Sequence, residues 1–182
     1  MAPPRTFIGF SSTDIHYYKL MLAWKANENI DFDFCDCQLQ SSLNSDNEKY
    51  IKDKCRERLY LAGTYAMLIG NDTRHKHKYV KWEAEVAIEK KCRIIGINLD
   101  GWRYVNKATC PTVLQNVGAL FVPFSPHIVA HALENYVLKQ SQDWHFENHT
   151  YTKLGYTLVD NRAERPKPLP PLPYKPNMYK SR

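Results

Sequence analysis

The chain has 182 residues, enough for one domain with a real core, since a domain of about 150 residues buries close to 70% of its unfolded surface. An apolar fraction of 43% against 24% charge excludes wholesale disorder, and no window reaches the roughly 18 apolar residues that a membrane span needs. The net charge of +6 suggests nucleic-acid binding until it is located. Beyond position 161 six basic residues stand against Glu164 alone, so five of the six net charges lie there, the remainder of the chain is nearly neutral, and no nucleic-acid partner is expected.

The first residues, MAPPRTFIGF, lack the basic and apolar regions of an export signal, so a cytoplasmic protein without a membrane partner is expected. Five cysteines, an odd number without framework spacing, fit reduced thiols better than disulfides.

In chain order, Thr6–Phe10 reads as a buried strand ended by Ser11, Ser12, Thr13 and Asp14, a turn and helix cap. Ile15–Glu28 has helical spacing, and Ile30–Phe34 alternates as a second strand does. A polar loop, Gln38–Asn44, leads to an amphipathic helix over Ser45–Leu61, closed by Gly63. Tyr65–Ile69 is a fully apolar third strand, Tyr79–Lys91 a helix and Arg93–Leu99 a fourth strand. Gly118–Phe124 reads as a fifth strand and Pro126–Gln140 as a helix with proline in its first turn.

Continuous apolar strands alternating with helices predict an α/β fold, a doubly wound sheet of about five parallel strands. Residues 1–141 form this domain; 142–161, with Trp144, Phe146, Tyr151 and Tyr156, fold back on it as an aromatic extension, as a hairpin around Gly155; and 162–182 form a proline-rich basic tail. The tail's Lys167-Pro-Leu-Pro-Pro-Leu-Pro run has the form of an SH3 ligand, although such ends more often act as spacers.

Ligands of such sheets lie beyond the carboxyl ends of the strands, which directs attention to the loops after strands one to three and the start of the Tyr79 helix. On that helix Val80, Ala84, Ala87 and Ile88 define the core stripe; at about 100° per residue Glu83 falls nearer to its centre than Glu85 does. Glu83 therefore sits at the boundary of the buried face, where a carboxylate can be partly desolvated and reach a crevice, while Glu85 is an ordinary solvated residue. Tyr79 lies one turn earlier on the same column. Asp36 follows strand two in the position of a plain loop residue. Ser11 and Ser12 read as a strand end and helix cap, and Asp14 as a cap or turn residue.

No metal site is expected: Cys35-x-Cys37 has no second pair, and His127 with His131 and His145 with His149 match no zinc motif, the last two lying where aromatic alternation favours a strand. The basic loop Arg74–Lys78 lies on the ligand side, where it could attract phosphates.

The run Phe10-Ser11-Ser12-Thr13-Asp14, the strand YAMLIG and the stretch YVKWEAEVAIEKK with RIIGINLDG resemble the TIR-like family over about residues 6–100, more narrowly the TIR-like signal-producing subunit of bacterial Thoeris antiphage systems. In TIR enzymes a tryptophan precedes the catalytic glutamate by four residues on this helix; the matching pair here is Tyr79 and Glu83, with tyrosine in place of tryptophan. The resemblance implies cleavage of the nicotinamide–ribose bond of NAD, with no cofactor beyond that substrate, to give an ADP-ribose-derived and possibly cyclic signal for a separate effector. It implies Glu83 as the catalytic carboxylate, with Phe10, Ser11, Ser12, Asp36 and Tyr79 binding substrate, and self-association on activation. A non-catalytic TIR-like interaction module is the alternative. A flavodoxin-like phosphoacceptor is disfavoured because paired acids are missing at the end of strand one.

Overall fold

The computed structural model describes residues 4–37, 48–75, 79–137, 139 and 142–157. Five parallel strands, β1 (Arg5–Gly9), β2 (Cys35–Asp36), β3 (Thr64–Ile69), β4 (Arg93–Asn98) and β5 (Leu120–Pro123), form one sheet in the order β2-β1-β3-β4-β5. This is the flavodoxin-like, TIR-like α/β order. Helices α1 (Ile15–Ala26), α4 (Pro126–Glu134) and the short α5 (Asn148–Lys153) cover one face; α2 (Glu48–Leu61) and α3 (Tyr79–Glu89) cover the other. Successive strand residues serve opposite layers, as the two-residue pleat requires: Phe7, Tyr65, Met67 and Ile94 pack under α2 and α3, and Ile8, Ala66, Leu68 and Ile95 under α1 and α4. Every residue of β3 is buried, which accounts for its uninterrupted apolar sequence.

Strand two differs from the sequence expectation. The alternation over Ile30–Phe34 reports burial rather than pairing: Phe32 and Phe34 enter the α1-side core, but the local bonds are turn-like, Ile30 N–H to the Asn27 carbonyl at 3.0 Å and Phe32 N–H to that of Ile30 at 2.8 Å. Lys25 holds this stretch through the Asp33 carboxylate at 2.9 Å and the Phe34 carbonyl. Pairing with β1 begins only where the Cys35 amide donates to the Pro4 carbonyl, 3.0 Å.

The end of the chain also differs. Helix α4 stops at Glu134, six residues earlier than its apolar pattern suggests, and Asn135 caps it by donating from Nδ2 to the His131 carbonyl at 3.0 Å. The segment expected as a hairpin around Gly155, His149 included, is instead entered by α5, and Gly155 is that helix's C-terminal stop. With φ +72°, its amide donates to the Thr152 carbonyl (3.0 Å) and Tyr156 to that of Tyr151 (2.9 Å), the paired bonds of a Schellman motif. Tyr151 and Phe146 are buried against the α1–α4 layer, and the main chain at Trp144 runs beside the start of β5. The loop Gln38–Asn44 and the tail from Arg162 lie outside the described residues.

Among the described residues no helix is long and apolar enough to cross a membrane.

Candidate active site at the carboxyl edge of the sheet

In this strand order the crossovers diverge between β1 and β3, so a crevice is expected over their carboxyl ends. The two loops there are tied together. Thr13 Oγ1 donates to the Asp72 carboxylate at 3.0 and 3.1 Å, and since that hydroxyl has one proton, Ser11 is the donor in its 2.8 Å bond to Thr13. Asp14 occupies the N-cap position of α1 without capping it; its carboxyl lies against the α-carbon of Gly70 and accepts from Thr73 Oγ1 at 3.4 Å, while the Gly70 amide donates to Thr73 at 2.8 Å. A β-carbon at position 70 would collide with Asp14, which is why glycine stands there. Ser11 is thus buried and engaged in the loop, and Ser12 is exposed.

Glu83 lies one turn into α3. The helix buries Val80, Ala84 and Ala87 as its wheel requires, and also Trp82, clustered with Cys55 of α2, and Val86, neither of which belongs to that stripe. Glu83 is half-buried, close to Cys55 of α2 and Tyr65 of β3, and among the described residues its carboxyl has no hydrogen bond or ion pair. Desolvation therefore pushes its pKa from 4.5 up to about 8. Burial, then the neighbouring Glu83 charge, pushes the Cys55 thiol up to about 12 and the Tyr65 hydroxyl in the same direction. Glu85, by contrast, faces solvent and pairs with Lys81 at 3.6 Å. Tyr79 opens α3, and the orientation of its side chain lies outside the described residues.

Phe10 and Asp36 sit on the other face, under α1, and a residue not singled out from the sequence joins them. The Tyr18 ring stacks on Phe10, centroids 4.9 Å apart and planes 18° from parallel, and its hydroxyl donates to Asp36 Oδ2 at 2.5 Å. The available signal was its place on α1, beside the buried Met21 on the wheel. The sheet thus divides the candidates: Phe10 and Asp36 belong to one layer and Glu83 to the other. Tyr65, close to Glu83, runs under the end of β1 so that its hydroxyl oxygen lies 2.5 Å from where a β-carbon on Gly9 would be. In the basic loop, Arg74 donates to the Lys107 carbonyl at 2.5 Å and His75 is exposed; 76–78 lie outside the described residues.

A parallel sheet in this order, with a desolvated carboxyl on the helix after β3, defines an α/β domain of the TIR-like class. Residues 7–104 match the family described as Thoeris protein ThsB, TIR-like domain; the match spans more than half of the chain, and the chain belongs to that family. It covers every candidate site residue, from Phe10 to Glu83, and Tyr18 as well. No curated protein matches the chain.

Proposed function

We propose that this Thoeris TIR-like domain is an NAD-consuming enzyme that cleaves the nicotinamide–ribose bond and makes an ADP-ribose-derived signalling nucleotide, linear or cyclic. The observation that supports the reading is the Glu83 carboxyl, desolvated and without a partner among the described residues, on the helix that the resemblance to TIR enzymes singles out. A group so held is poised for a cation. The positive charge of the nicotinamide ring, on arrival, lowers the Glu83 pKa so that its proton is released to solvent, and the resulting carboxylate stabilises positive charge on the ribose as the C1′–N bond breaks and its electron pair returns to nicotinamide. Water or an internal nucleophile of the same nucleotide then closes on C1′, giving ADP-ribose or a cyclic product. Because neutral nicotinamide is a good leaving group, no metal or further cofactor is required. The enzyme acts in the cytoplasm, self-associates when activated, and reaches its effector through the nucleotide product.

A non-catalytic interaction module is the competing reading, and the hydrogen bonds already closing the β1 and β3 loops favour it. Incubating purified protein with NAD, with and without co-expression of the infection trigger, and following nicotinamide by chromatography separates the two. Release that is lost in Glu83→Gln supports the enzyme; silence in both conditions overturns it.

A further inference from the structure

The end of β2 and the end of β1 are not level. Asp36 pairs with Thr6, four residues before Phe10, a gap of about 13 Å at ~3.3 Å per residue. Tyr18 spans it: one side chain is stacked on Phe10 and hydrogen-bonded to Asp36. Burial, then the Asp36 hydrogen bond and charge, raises the Tyr18 pKa, so the hydroxyl remains a donor at neutral pH. The hydrogen bond fixes the Asp36 carboxylate, and the stack fixes the Phe10 ring, relative to one half-buried tyrosine carried on α1.

We propose that Tyr18 is a positioning residue of the nucleotide site: it sets the spacing between an aromatic platform, Phe10, and a carboxylate acceptor for vicinal ribose hydroxyls, Asp36. This rests on the reading that the site takes a dinucleotide. Tyr18 acts through its two neighbours and takes no part in bond cleavage. A ribose diol is a bidentate donor, and a carboxylate held in one rotamer accepts from it at less entropic cost than a mobile one.

Tyr18→Phe keeps the stack and removes only the hydroxyl. It is expected to raise KM for NAD about five- to tenfold, with kcat moving less than twofold. The double variant Tyr18→Phe, Asp36→Asn is expected to be no worse than Asp36→Asn alone, because the hydroxyl works only through that carboxylate. Calorimetric titration of NAD into the Glu83→Gln background reads the same effect apart from chemistry. An unchanged Kd on adding Tyr18→Phe, additive effects in the double variant, or no NAD binding by the parent overturns the proposal. If the wild-type chain binds NAD but releases no nicotinamide, and Tyr18→Phe still weakens binding, the positioning role stands and the cleavage reading falls.

Discussion

Thr13 and Asp72, 59 residues apart in sequence, are bonded side chain to side chain across the carboxyl edge of the sheet, the hydroxyl reaching both carboxylate oxygens. The bond is exposed, so its contribution to global stability is small, of order 1 kcal/mol. Its effect is local, since it joins the loops after β1 and β3. Asp72→Ala is expected to lower the denaturation midpoint only slightly while speeding amide hydrogen exchange at residues 10–14 and 70–75. Unchanged exchange in both loops would show that the bond holds nothing in place.

Glu83→Gln removes a carboxyl whose folded pKa, about 8, stands above its ordinary 4.5. The folded chain binds that proton more tightly than the unfolded chain, so stability falls as pH rises from about 4.5 to about 8 and stays reduced above it. The glutamine variant lacks this slope. It is expected to lose nicotinamide release and yet match or exceed wild-type stability at pH 8.5, by up to a few kcal/mol. Glu85→Gln, which breaks only an exposed pair with Lys81, is the control and is expected to change stability by less than about 0.5 kcal/mol.

The proposed role of Glu83 carries an expected pH profile. For free enzyme and substrate, kcat/KM is expected to rise with pH until Glu83 is ionised, with a midpoint near 8. Binding of the nucleotide with its cationic nicotinamide ring near Glu83 is expected to release a proton below that midpoint, visible as a dependence of the binding enthalpy on the ionisation enthalpy of the buffer. A profile flat from pH 6 to 9 would remove Glu83 from the rate equation.

Gly9→Ala places a methyl group 2.5 Å from the Tyr65 hydroxyl oxygen and 2.9 Å from Cζ. Tyr65 is fully buried and has no room to withdraw, so the substitution is expected to cost about 1–3 kcal/mol in chemical denaturation. Tyr65→Phe in the same chain removes the nearest atom and is expected to recover part of that loss. No recovery would mean that the strand, and not the ring, is what yields.

Tyr151→Ala is expected to cost about 3–5 kcal/mol, because the ring is wholly enclosed by the α1–α4 layer. Truncation after Asn161 removes only a proline-rich, charged sequence and is expected to leave the denaturation midpoint unchanged. A large loss on truncation would show that the tail contributes to the core.

The elements legible in the sequence were those whose residues face the same surroundings throughout. Residues Tyr65–Ile69 and Arg93–Asn98 are nearly all buried, so their apolar runs marked β3 and β4 to within a residue. The wheel of α3 separated Glu83 from Glu85 because one layer beneath the helix dominates its burial. Phe32 and Phe34 misled because burial and ladder pairing leave the same alternating trace, and Gly155 because a helix stop and a hairpin turn both call for positive φ. Tyr18 and the Thr13–Asp72 bond had no local signature, since each is defined by a partner from another loop or strand.

The sheet's two borders are unequal. Beside β5 the Phe121 amide donates to the Trp144 carbonyl at 2.8 Å and the Trp144 amide to that of Ala119 at 2.9 Å, so that border is already occupied by the chain itself. The other border, β2, is two residues long. Among the described residues the sheet presents β2 as its open border, so head-to-tail growth by strand addition lacks the second border it needs. A β2-to-β2 contact about a twofold axis would close at a pair, and a longer array would be held by helices and loops.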